Sequence, residues 1–133
     1  MEELRKIDPI YADESINELA RACPDAASYF VEFTMAEVLA RKVLDSKTKA
    51  LVVLASLVGF GRCEGFFRTH VLGALHAGCT REEIFEVAIL NGVITGSPNM
   101  LLAVKHISEA FASVAPTGDQ DGMPSVAKDK KTQ

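Results

Sequence analysis

The sequence has no tryptophan, only 7% aromatic residues among 133, and three cysteines. Cys23, Cys63 and Cys79 are odd in number and far apart, which argues against a disulfide framework and against a Cys-x-x-Cys zinc knuckle. Cys23 and Cys79 are expected to be small buried apolar residues. A long apolar run is also missing. Ala50 to Phe60, broken only by Ser56 and Gly59, is about half of the ~20 residues that a membrane span needs, and reads as a buried helix. Lysine and arginine are scattered and the formal net charge is −4, so no basic stripe is present to neutralise phosphates. Neither nucleic acid nor a membrane is expected as a partner. Met1 to Asp8 lacks the charge-then-apolar order of a secretory signal, and a cytoplasmic protein is expected.

What is present is a chain of single-domain length with 48% hydrophobic residues. Composition changes after Ala115. From Pro116 to Gln133 only Met123, Val126 and Ala127 are apolar, too little to offset ordering entropy by burial. The expected organisation is a helical domain over residues 1–115 and a disordered tail over 116–133. Within the domain, caps punctuate helices. Asp8-Pro9 and Pro24-Asp25 place proline at the start of helices over Ile10 to Ala22 and Asp25 to Val43, the second with a stripe of Tyr29, Phe33, Ala36, Ala40 and Val43. Leu44-Asp45-Ser46 caps a third helix, Lys47 to Val58, and Gly59-Phe60-Gly61 ends it. A fourth runs from about Cys63 to Ala77 and stops at Gly78. Thr80-Arg81-Glu82-Glu83 is a capping box that opens a fifth, Arg81 to Thr95, and Gly96-Ser97-Pro98 starts a sixth that ends near Val114. No segment alternates with period two, so the fold class is all-α, a compact bundle of about six helices.

His70 is the histidine placed inside an apolar helix. It follows Cys63 by seven residues, so both side chains project from one face, together with Phe66, Ala74 and Ala77. The two are ~10 Å apart along the axis, too far for a hydrogen bond that would activate the thiol. A histidine on such a face is commonly a satisfied core residue, and a cysteine near a helix start is commonly structural. His76 and His106 have no second ligand at helical spacing for zinc, and no metal is expected.

The run Cys63-x-x-Phe66-x-x-x-His70, His70-Val71-Leu72-Gly73-Ala74-Leu75, then Ala77-Gly78-Cys79-Thr80-Arg81-Glu82-Glu83-Ile84, with Gly96 and Pro98 later, resembles the carboxymuconolactone decarboxylase and alkyl hydroperoxidase D family. The resemblance covers roughly Ala36 to Phe111. In the hydroperoxidase branch a glutamate, a Cys-x-x-Cys pair and a histidine form a redox relay. Here Phe66 stands where the second cysteine belongs, and Ala50-Leu51-Val52 offers no acid, so a dithiol mechanism is excluded within the chain. Ile94 and Ser97 stand where family members often carry an aromatic pair, so the pocket differs in polarity and shape.

The resemblance therefore implies a decarboxylase-like lyase that acts on a small carboxylated, lactone-type substrate by cofactor-free acid/base chemistry. His70 is the expected proton donor or oxyanion partner, Arg62 and Arg41 the carboxylate anchors, Glu37 the group that orients His70 or an arginine, and Phe66 a substrate-binding residue of the site. The alternatives are a thiol-dependent peroxidase using Cys63, or a non-catalytic member of the fold. Family members are commonly homotrimers or homohexamers, and self-association is expected here too. It also suits the composition: about 53% of residues 1–115 are apolar, more than so small a core readily buries. Size-exclusion chromatography with light scattering is expected to give a multiple of the 14.4 kDa chain mass, and a monomer at micromolar concentration contradicts this.

Overall fold

A computed structural model describes residues 12–61 and 66–114. The Asp8-Pro9 signal, Arg62, Cys63, Glu64 and the segment 116–133 lie outside the described residues. All regular structure among the described residues is helical.

Helix α1 spans Ala12–Ala22 and α2 Pro24–Tyr29, with Pro24 in the first turn where its missing N–H costs nothing. Cys23 is the N-cap between them, in extended backbone. It is exposed, contrary to the expectation of burial, because it lies at a helix junction rather than on a packed face. The chain continues from α2 into a π-helical segment, Phe30–Leu39, closed by the Ala40 N–H bonding to the Met35 carbonyl at 3.2 Å. The sequence predicts a single α-helix through this region. Phe30, Val31, Phe33 and Thr34, aromatic or β-branched within little more than one turn, are residue types that favour an α-helix only weakly, and the segment takes the wider π turn. The wider turn also breaks the 3.6-residue stripe. Tyr29, Phe33 and Val43 are 72%, 62% and 82% exposed, while Ala27 and Met35 are buried instead.

The remaining helices form the bundle: α3 Ser46–Gly59, α4 Phe66–His76, α5 Arg81–Thr95 and α6 Ser97–Ala112. Their boundaries follow local chemistry. Asp45 caps α3, its carboxylate accepting from the Thr48 N–H at 2.8 Å and the Thr48 hydroxyl at 2.9 Å. Thr80 and Glu83 form the reciprocal capping box of α5. Gly61, Gly78 and Gly96 take positive φ at the three helix ends of the bundle that need it. Antiparallel α5 and α6 pack most extensively. Gly92 makes this possible, since a Cβ there would come within 3.0 Å of Met100.

The core is one cluster. Leu54 and Val58 of α3, Phe67, Val71 and Ala74 of α4, Ile84 and Ala88 of α5, and Ala103, Ile107, Ala110 and Phe111 of α6 are buried together, at three- and four-residue spacings on each helix. Cys79 joins them, as expected. The arm formed by α1, α2 and the π segment packs within itself and makes no extensive helix contact with the bundle. Polar links tie neighbouring elements. Lys47 of α3 bridges to Glu83 of α5 at 2.7 Å, and the Arg68 guanidinium of α4 donates to the Ser113 hydroxyl at 3.0 and 3.1 Å.

Ile84 is fully buried at the centre of this cluster. Truncation to alanine is expected to lower stability by about 2–5 kcal/mol, read as a lower urea midpoint at an unchanged m-value.

Candidate active site

A cavity of about 280 Å³ opens between the first turns of α3, the C-terminal half of α4 and Leu39 at the end of the π segment. Its shape follows from α4. His70, Gly73, Ala74 and Ala77 recur at helical spacing and line it together. Only His70 in that set carries a side chain long enough to fill the space, so the small residues leave room beside the imidazole. The small-residue patch of α4 thus serves both a buried helix contact, through Ala74, and the floor of the cavity.

The His70 ring is half-buried and has no hydrogen-bond partner among the described residues. Burial with nothing to stabilise the imidazolium pushes its pKa below the ordinary value of 6.5, so the ring is neutral at pH 7. A neutral imidazole offers one N–H donor and one acceptor nitrogen. Lys49 lines the same cavity from α3. Its ammonium donates to the Leu39 carbonyl at 2.7 Å and to the Arg41 carbonyl, at the end of the π segment. Ser46 and His76 also line the cavity, and the His76 Nδ1 lies 3.1 Å from the Leu72 carbonyl. Ala50, Val53 and Leu39 supply apolar wall.

Three other expected site residues, all within the described segments, do not line this cavity. Glu37 and Arg41 are exposed on the arm and do not line it. Phe66 opens α4 on the same stripe as His70 but is 74% exposed. Arg62 and Cys63 lie outside the described residues. The other bundle thiol, Cys79, is buried, its Sγ 3.8 Å from the Lys47 carbonyl, and burial pushes its pKa up, away from the reactive thiolate. Among the described residues no group of three His, Cys, Asp or Glu side chains is placed to hold a metal ion, and no helix is long and apolar enough to cross a membrane.

Sequence reasoning missed Lys49 and His76. Lys49 had one visible signal: it is a cation directly preceding the apolar run that starts at Ala50, on the face shared with Val53. What gives it a role is the pair of arm carbonyls eight and ten residues earlier, which only the tertiary fold brings to it.

The fold is an all-α bundle, and its small, partly apolar cavity is lined by an imidazole and a cation. The family model described as "Carboxymuconolactone decarboxylase family" matches residues 24–110, which span α2, the π segment, α3, α4, α5 and nearly all of α6. The chain belongs to the carboxymuconolactone decarboxylase family. It is also 27% identical over 101 residues to a 4-carboxymuconolactone decarboxylase of Acinetobacter baylyi, a match covering 76% of this chain and 75% of that protein. Family and relative together indicate a decarboxylase-like enzyme.

The depressed pKa of His70 has a consequence for stability. Between the folded value and 6.5 the unfolded chain binds more protons than the folded one, so the His70 contribution to stability declines as pH falls through that interval. The thermal midpoint is expected to fall between about pH 7.5 and about pH 5.5, and the fall to be smaller in His70→Gln. An equal fall in both proteins contradicts a burial-depressed His70.

Proposed function

We propose that the protein is a decarboxylase-like lyase acting on a small carboxylated, lactone-type substrate through cofactor-free acid/base chemistry centred on His70. The observation that carries this reading is the His70 imidazole, which faces a cavity, is held neutral by burial and has no protein partner among the described residues. Of the expected site residues within the described segments, His70 alone lines the cavity.

The chemistry suits such a group. When the bond between the carboxylate carbon and the ring carbon breaks, CO2 leaves and the electron pair passes into conjugation with the lactone carbonyl. The negative charge that develops on the carbonyl oxygen needs a donor, and the imidazole N–H supplies one. One proton must then reach carbon for each CO2 released. An imidazole exchanges protons with water near neutrality and can deliver it. The apolar wall of Ala50, Val53 and Leu39 strengthens each of these interactions by excluding water. Self-association belongs to the same reading. Val93, Ile94 and Leu101, at 79%, 86% and 64% exposure, surround the α5–α6 corner and form an apolar surface of the kind that covers itself in an assembly.

Turnover of carboxylated lactones, followed as loss of lactone absorbance and release of CO2, tests the reading. His70→Gln is expected to lower kcat/KM by about 100-fold or more. Wild-type protein inert towards a panel of such lactones, or His70→Gln at full rate, overturns it.

A further inference from the structure

The cavity holds a positive charge that the reaction chemistry of His70 does not use. Lys49 is part-buried, and its ammonium touches two carbonyl oxygens and no carboxylate among the described residues. Carbonyl dipoles solvate a cation but leave its formal charge uncompensated, and a cation withdrawn from water without a counter-ion is costly. The other charged groups at the start of α3 are satisfied elsewhere: Lys47 by Glu83, and Asp45 by Thr48. Lys49 is also the lysine or arginine that lines the cavity. An ammonium has three donors, and the arm occupies two.

We propose that Lys49 is the anion-binding residue of the cavity, its third donor taking a carboxylate oxygen of the ligand while the other two hold the end of the π segment over the cavity. The inference rests on the reading of this cavity as the functional site and names the residue that would recognise the ligand's charge. The ligand it describes has one carboxylate and a compact apolar body. The carboxylate lies at Lys49, near the Ser46 hydroxyl, and the body lies against Leu39, Ala50 and Val53. Lys49 is also the polar contact from the bundle to the backbone at the end of the arm, so ligand binding and arm position share one side chain. Binding of the carboxylate anchors Lys49, and an anchored Lys49 holds Leu39 over the bound ligand.

Benzoate and its uncharged counterpart benzamide are suitable probes, with binding read by titration calorimetry on the full chain. The wild type is expected to bind benzoate about tenfold or more tighter than benzamide, the difference a charge-assisted hydrogen bond makes. Lys49→Met is expected to lose that preference and Lys49→Arg to keep most of it. Hydrogen exchange in the π segment is expected to quicken in Lys49→Met and not in His70→Gln. A measurement on wild-type protein covers the case in which Lys49→Met does not fold: benzoate, and not benzamide, slows acetylation of Lys49 by acetic anhydride, read by mass spectrometry. No benzoate binding by the wild type, equal affinity for the two probes, or an unchanged preference in Lys49→Met overturns the proposal. Failure of the functional reading shows separately, as absence of lactone turnover with the benzoate preference intact.

Discussion

Burial of Phe67, Val71 and Ala74 fixes the rotation of α4, and the site depends on that rotation. These three residues lie against α3, α5 and α6 and are essentially inaccessible. Neighbouring residues on an α-helix point ~100° apart, so once Val71 faces the core, His70 is carried to the flank of the helix. The flank is neither core nor open surface. It faces the first turns of α3, where Ser46, Lys49, Ala50 and Val53 complete the wall. Gly73 and Ala77, on the same flank, are too small to close the gap, so packing that is dense on one side of α4 leaves a cavity on the other. The pKa of His70 is part of the same geometry: the ring loses water to the bundle and gains no partner among the described residues.

The arm obeys a different constraint. Its helices bury Ala27 and Met35 but leave Tyr29, Phe33 and Val43 in solvent, so little apolar burial fastens it to the bundle. At the junction, the fastening is electrostatic. The last carbonyls of a helical segment have no intrahelical donors and carry the negative end of its dipole, and the Lys49 ammonium meets two carbonyls at that end. An attachment of this kind is directional and few-membered, and it responds to any anion that competes for or adds to the same cation. A hydrophobic attachment of equal strength would respond to neither.

Features set by neighbours in the chain were legible in the sequence. Asp45 with Thr48, the Thr80 and Glu83 box, and the glycines at 61, 78 and 96 act within one helical turn, and the observed ends of α3, α5 and α6 lie within two residues of those expected from them. The position of His70 on one flank of α4 with Gly73, Ala74 and Ala77 was legible from helical phase. The π segment was not. A 3.6-residue stripe of Tyr29, Phe33, Ala36 and Ala40 argues for an α-helix, and no pattern of polarity distinguishes the wider π turn from it. Lys49 was invisible for another reason. Its partners are backbone carbonyls, which have no signature in any sequence, and a lysine at the start of a helix otherwise reads as a solvated charge. Arg41 illustrates the reverse: its carbonyl, not its guanidinium, meets the cavity cation.

On the proposed reaction, charge and proton are linked through the same pair of residues. Burial in the cavity wall depresses the pKa of His70 because an imidazolium there would be poorly solvated. A carboxylate held at Lys49 offers the imidazolium an opposite charge in the same cavity, so it raises the affinity of His70 for a proton. Ligand binding is then coupled to proton uptake, and the coupling is reciprocal. Decarboxylation reverses the change, since the carboxylate departs as neutral CO2 and the reason for His70 to hold an extra proton departs with it. The proton is therefore released at the stage at which the carbon that keeps the electron pair requires one. A cavity with histidine alone would lack this timing, because the proton affinity of its imidazole would not follow the charge of the ligand. The value of placing Lys49 and His70 on opposite walls of one small cavity lies in that dependence, which needs no cofactor and no second ionisable acid.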